Sequence, residues 1–195
     1  KIKPPIRVFG HGWIMSGEEK MSKSKGNILD PLEIIKKYGI DELRYYLMKE
    51  VSHGSDGNIS LKSLENCINS DLANNYGNLC QRVFSFVKNN CENKVIRTKN
   101  ISDADNKLLN EAKILTKNLR SEMRNQNLNN YIKSVMNVSF LTNKYINDEE
   151  PWKVKKVSVE KMNNILHIAL QQIAKISILL NPIIPRATTK VLDAL

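Results

Sequence analysis

Between Leu61 and Leu180 apolar residues return at every third or fourth position. This spacing stacks them along one face of an α-helix and excludes the alternation that a half-buried strand needs. Leu61, Leu64, Ile68, Leu72, Asn75, Leu79, Arg82, Val83, Phe86 and Val87 predict one long helix from the N-cap Ser60 to about Asn89. Residues 90–101 read as a polar loop. Asp103 or Asp105 then opens a helix through Leu108, Leu109, Ala112, Leu115, Leu119 and Met123 that ends near Asn125. The next helix carries Leu128, Ile132, Val135, Met136, Phe140, Leu141 and Tyr145. It stops ahead of Pro151, because a proline disfavours helical backbone in the residue before it. Trp152 heads a lysine-rich connector, Lys153 to Lys156. Ser158 caps a further helix containing Ile165, Ile168, Ala169, Ile173, Ile176, Leu179 and Leu180. Asn181-Pro182 breaks it, and a short helix from about Pro185 to Leu195 closes a bundle.

The residues before Ser60 follow other rules. Ile6-Arg7-Val8-Phe9 and Gly10-His11-Gly12-Trp13-Ile14-Met15 are short β-prone runs broken by glycine, and they need a sheet that this chain is not expected to supply. The turn formers Ser16-Gly17-Glu18 predict a hairpin that brings Lys20-Met21-Ser22-Lys23-Ser24 to a loop tip. Compact ammonium charges interleaved with hydroxyl and amide donors suit an oligophosphate better than a carboxylate or a metal ion. Asp30-Pro31-Leu32-Glu33 is a helix start, with an acidic cap and proline at the first helical position. That helix runs to Lys37 or Tyr38, and Gly39 ends it. Asp41 is expected to cap a second helix, Glu42 to about Val51, with Leu43, Tyr46 and Leu47 on one face. Gly54-Ser55-Asp56-Gly57-Asn58 reads as a turn.

Charge bears on the partner. Thirty Lys and Arg against twenty Asp and Glu leave +10 over 195 residues, which favours a polyanion, since each neutralised phosphate releases counterions. No stretch of about 18 apolar residues occurs, and Lys1-Ile2-Lys3-Pro4-Pro5 lacks a secretory h-region. Neither a membrane span nor a signal is expected, and a cytoplasmic location follows. Cys67, Cys80 and Cys91 are too widely spaced for a Cys-x-x-Cys knuckle, so reduced structural thiols and no zinc site are expected.

Lys20-Met21-Ser22-Lys23-Ser24 is the signature loop of class I aminoacyl-tRNA synthetases. The pentapeptide resembles several of them; the surrounding residues resemble the methionyl-tRNA synthetases. These are His11-Gly12-Trp13, Lys25-Gly26-Asn27, Asp30-Pro31, Tyr38 to Leu47 and Glu50 to Gly57. Asn69 to Asn74, Gly77-Asn78-Leu79 and Leu180-Asn181-Pro182 are similar too, and residues 90–125 are the least informative.

The resemblance implies a mainly α fold, an α-helical anticodon-binding bundle over residues 60–195. Residues 1–59 would precede it as a small β-hairpin and helix stem-contact segment from the end of a Rossmann-type catalytic domain. It implies that Lys23 and then Lys20 hold the phosphates of ATP, with Mg2+ in the full enzyme, while methionine attacks the α-phosphate. Met21 would pack the loop down, Ser22 and Ser24 would donate to phosphates or to the loop itself, and His11 and Gly12 would lie beside the adenine. It further implies that Asn78, Arg82, Pro151 and Trp152 read the CAU anticodon of tRNA(Met), a base stacking on the ring and polar groups addressing base edges. Lys153, Lys155 and Lys156 would meet phosphates. The Rossmann half with its His-Ile-Gly-His type motif is not found here, so the chain is expected to be one part of a larger enzyme, inactive in adenylation alone. DNA and membrane are not expected partners. A free-standing RNA-binding helical module, and a valine, isoleucine or leucine specificity, are the competing readings.

Overall fold

A computed structural model describes residues 2–16, 19–20, 29–52, 54–97 and 100–195. It begins with strand β1 (Ile14–Ser16), which pairs antiparallel with β2 (Glu19–Lys20), placing Met15 opposite Lys20. A third strand, β3 (Gly57–Asn58), lies parallel to β1 with Ile14 opposite Gly57, giving the order β2-β1-β3. This corrects two expectations: the hairpin does have a sheet partner, and the partner comes from the stretch read as a turn. Trp13 and Met15 supply the carbonyls that accept from the Gly57 and Ile59 amides, so the strand exists only through these long-range bonds.

Helix α1 (Pro31–Tyr38) starts as expected, the Asp30 carboxylate accepting from the Leu32 amide at 2.8 Å. Gly39, at φ 111°, ends α1 and precedes α2 (Ile40–Glu50). Asp41 does not cap α2. It sits buried in that helix's first turn and accepts from the Ala187 amide at 2.8 Å, at the start of α10 (Pro185–Asp193). One turn on, Arg44 donates to the carbonyls of Ile183 and Pro182, both at 2.8 Å. Together Asp41 and Arg44 knit α2 to the end of the bundle.

The long helix predicted from Ser60 is continuous in path but not in type. Helix α3 (Leu61–Cys67) opens with a capping box between Ser60 and Ser63. A π-helical segment, Ile68–Gly77, follows, and α4 (Asn78–Asn90) continues from it. Leu64, Ile68, Leu72, Tyr76 and Cys80 repeat strictly every four residues, which on an α-helix rotates each about 40° past the last. The wider turns absorb that drift, and Tyr76 and Cys80 are buried. Asn75 was placed with the apolar face; instead its amide donates to the Met136 carbonyl at 3.1 Å, and its own carbonyl accepts from Asn143 at 3.0 Å. At Gly77 a Cβ would stand 2.7 Å from the Leu72 carbonyl oxygen, so this wide turn closes only on glycine.

Within the same segment Asp71 accepts from Tyr45 at 2.7 Å, Lys49 at 3.0 Å and Ser70 at 2.8 Å. Burial opposes the ionised form, yet the three donors hold its carboxyl below the usual range. A depressed folded pKa contributes stability above the unfolded value near ~4 and loses it as pH falls through the folded value. The stability gap between the natural chain and Asp71→Asn is therefore expected to be full at neutral pH and to shrink below about pH 4. Denaturant titrations across that range would show it, and a gap independent of pH would refute it.

The predicted helix 103–125 is two helices, α5 (Asp103–Thr116) and α6 (Leu119–Arg124), with a break at Lys117 and Asn118. Helix α7 (Leu128–Glu149) ends at Glu150, in the left-handed conformation at φ 41°. The lysine connector forms one helical turn, α8 (Pro151–Val154), and α9 (Val159–Leu180) starts at the expected cap, Ser158 accepting from the Lys161 amide. The core lies where α9 packs on α7, through Ile165, Ile173, Ile176 and Leu180 against Ile132 and Val135. Tyr45 and Tyr46 of α2 belong to the same core. Cys67 and Cys80 are free thiols that burial pushes up to about 11 and about 12.

Candidate nucleic-acid interface

Two groups of residues were singled out, and they lie at different parts of the fold. The first surrounds the β1–β2 hairpin. Lys20 ends β2, and Met21, Ser22, Lys23 and Ser24 lie outside the described residues. Gly12 is pressed against the Ser55–Asp56 backbone, where a Cβ would fall 2.2 Å from the Ser55 carbonyl. The Asp56 carboxylate accepts from the Trp13 amide at 2.7 Å. Gly12 thus has a packing role in joining the loop to β3, whatever else it meets. The His11 ring is exposed, its Nδ1 2.8 Å from the Gly12 carbonyl.

The second group assembles where α4, α7 and α8 meet. Pro151 is buried at the first position of α8, and the left-handed Glu150 before it turns the chain so that Trp152 stands beside α4. Trp152 is 40% exposed, leaving a ring face for a ligand. The Arg82 guanidinium lies 5.7 Å from the centre of that ring and donates to Asn147 Oδ1 at 2.7 Å. Asn147 thereby fixes the guanidinium over the ring, a geometry that pairs charge with a π face. A cavity of about 300 Å³ opens here, lined by Arg82, Phe86, Asn89, Asn90, Pro151 and Trp152. Asn78 sits one turn before Arg82, half-buried and outside that lining.

The structure thus brings Arg82, Pro151 and Trp152 together and leaves Asn78 at the margin. It adds Asn147, Asn89 and Asn90, which sequence reasoning passed over. Asn90 was the first residue of the supposed loop, and Asn147 one amide among several at a helix end; nothing in their local spacing marks them. Two of the three connector lysines are engaged: Lys155 donates to Asn90 Oδ1 at 2.9 Å, and Lys153 pairs with Glu150 at 2.8 Å. An aromatic face, a guanidinium and several amides around an open cavity can stack a planar base and address its edge. Among the described residues no group of His, Cys, Asp and Glu could hold a metal ion, and no helix is long and apolar enough to cross a membrane.

A small sheet edge feeding this helical bundle belongs to a class I aminoacyl-tRNA synthetase. Residues 1–84 match the family described as "tRNA synthetases class I (M)", and residues 95–195 match the "Anticodon binding domain of methionyl tRNA ligase". The chain belongs to the methionyl-tRNA synthetase family. It is 39% identical over 191 residues to the methionine-tRNA ligase of Brucella suis, a match covering 98% of this chain and 37% of that protein. To the Rickettsia felis methionine-tRNA ligase it is 37% identical over 198 residues, covering 100% of this chain and 39% of that one. The solved Mycobacterium tuberculosis methionyl-tRNA synthetase in complex with methionyl-adenylate superposes with a TM-score of 0.91 at 33% identity, over 98% of this chain and 38% of its own. The chain therefore spans well under half the length of these relatives.

Proposed function

We propose that the chain supplies a methionine-tRNA ligase with its phosphate-binding loop and its reader of the tRNA(Met) anticodon, acting in the cytoplasm. The division of labour falls near residues 59 and 60. The arrangement that carries this reading is Arg82, held by Asn147 over the Trp152 ring at the edge of an open cavity. One base of the CAU triplet stacks on Trp152, while Arg82 and Asn78 address base edges and Pro151 shapes the floor. Amide and guanidinium donors read bases, whereas lysines serve phosphates and carry no sequence information. The relatives are methionine-tRNA ligases, which disfavours a valine, isoleucine or leucine specificity.

For the loop, the chemistry of the donor set is the support. Lys20, Ser22, Lys23 and Ser24 are all donors without a carboxylate, which fits the phosphates of ATP better than a Mg2+ ion. The ion would be held by the phosphates themselves. Lys23, and Lys20 next to it, place positive charge where the negative charge of the departing pyrophosphate grows as methionine attacks. His11 and Gly12 border the adenine in this reading.

Anticodon reading is tested by titrating the chain with stem-loop transcripts bearing CAU and its one-base variants. CAU is expected to bind tightest, and Trp152→Ala to weaken it by about 1–3 kcal/mol, the worth of one stacked base. Equal affinity for all loops would overturn base reading while leaving phosphate attraction intact.

A further inference from the structure

The solvent side of α7 has a composition the anticodon pocket does not account for. Its exposed residues are Lys133, Asn137, Phe140, Lys144 and Asn147, with Asn130 near the start and Asp148 near the end. At about 100° per residue these fall within one arc of the helix. Phe140 and Asn147 are two turns apart, so they share a stripe about 10 Å long. Asn147 is the residue that holds Arg82 over Trp152. The arc is therefore continuous with the pocket, and it leads away from it toward the start of α7.

Phe140 is 62% exposed in the middle of this arc, on a helix whose other face is tightly buried. A lone exposed aromatic residue is ordinary. Here, however, Lys144 stands one turn beyond it and Lys133 two turns before it, and neither lysine is in a salt bridge among the described residues. Asp148 is the single carboxylate of the arc. Beside it, the adjoining surface of the π segment and α4 exposes Asn69, Ser70, Ala73, Asn74, Gln81 and Ser85, again without acids. An aromatic face among lysines and amides matches the way proteins hold single-stranded nucleic acid, and its acidic edge lies toward α5, where Glu111, Asp148 and Glu149 line a pocket with Lys144. A stacked strand advances about 3.4 Å per nucleotide, so the 10 Å from Asn147 to Phe140 corresponds to about three nucleotides.

We propose that this arc is a second RNA contact: Phe140 stacks an unpaired nucleotide of the anticodon loop outside the CAU triplet, and Lys144 and Lys133 meet the flanking phosphates. The contact rests on the anticodon reading above and adds affinity without adding discrimination. Asn137 and Lys144 stand one turn to either side of the ring, but among the described residues no guanidinium is held over it as Arg82 is held over Trp152.

The test uses the whole chain and a fluorescent anticodon stem-loop, with CAU and one-base variants titrated in parallel. Phe140→Ala is expected to weaken every loop by the same factor, at least about fivefold, leaving the ratio between CAU and its variants unchanged. Phe140→Leu is expected to lose most of this affinity and Phe140→Trp to keep it, since the aromatic face is what matters. Lys144→Ala is expected to reduce the slope of log affinity against log salt by about 0.7, one single-strand phosphate contact. Phe140 is exposed, so its replacement leaves the core intact, and far-ultraviolet circular dichroism checks that the fold is kept. Unchanged affinity in Phe140→Ala while Trp152→Ala weakens binding would overturn this proposal and leave the anticodon reading standing. Full affinity in Phe140→Leu would overturn stacking. Loss of the CAU preference in Phe140→Ala would also overturn it, by making the ring a reader. If the natural chain shows no CAU preference and Trp152→Ala no effect, the anticodon reading fails, and a surviving Phe140 effect would be phosphate-led RNA binding alone.

Discussion

Asp105→Ala is expected to lower the unfolding free energy by about 2–4 kcal/mol, about 1–3 for leaving buried donors unsatisfied and about 1 for the lost cap. Asp105 is fully buried, and its carboxylate accepts from Tyr145 at 2.5 Å, Asn164 at 2.5 Å and the Ser102 amide at 2.8 Å. It ties the start of α5 to α7 and α9, the two helices that form the core. Alanine leaves the Tyr145 hydroxyl in the interior without its acceptor and also dissolves the capping box, itself worth about 1 kcal/mol. Asp105→Asn keeps the shape and part of the bonding and is expected to cost clearly less. Urea unfolding followed by circular dichroism measures both. A loss under about 1 kcal/mol for the alanine variant would mean that the hydroxyl and amide find other partners.

Lys23→Ala, made in the full-length enzyme, is expected to lower the rate of methionine-dependent pyrophosphate exchange by about 100- to 1000-fold, the usual effect of deleting one donor to a developing charge. Its thermal midpoint is expected to stay within about a degree, because surface substitutions away from caps and cores are near neutral. Lys23→Arg is expected to recover only part of the rate, a planar guanidinium being a poor substitute for a compact ammonium. An unchanged exchange rate would refute the assignment of Lys23 to the phosphates. Loss of rate and stability together would instead assign the loop a structural role.

Much of the helical layout was legible because its signals are local. Asp30, Ser60 and Ser158 each cap within three residues of themselves, so the sequence neighbourhood contains both donor and acceptor, whereas the helix expected to open at Asp103 or Asp105 is capped by Ser102. The errors have non-local causes. Asp41 looks like a cap for α2 because it begins that helix, yet its carboxylate is taken by an amide 146 positions away. The break between α5 and α6 falls in Lys117-Asn118, which carries neither glycine nor proline. Strand β3 is two residues of turn-forming type that become a strand because β1 lies beside them. The π segment hid for a similar reason: Asn143 of α7 donates to the Asn75 carbonyl in the wide turn, Asn75 donates back to the Met136 carbonyl, and a one-dimensional pattern cannot display those bonds.

The candidate site divides in the same way. The proposal of a phosphate loop at Lys20 to Ser24 rests on residue order alone, because the chemistry it invokes is written in consecutive side chains. Residue order also set Asn78 with Arg82, one turn apart on a helix, and Pro151 beside Trp152. That Arg82 stands over Trp152 depends on Asn147, which lies 65 positions further along the chain from the guanidinium it orients. That Asn78 sits outside the cavity likewise follows from how α4, α7 and α8 pack. Backbone propensity, capping and short motifs act over a few residues and can be read from order alone. A recognition surface is made of groups brought together by burying apolar faces, and burial depends on which helix meets which.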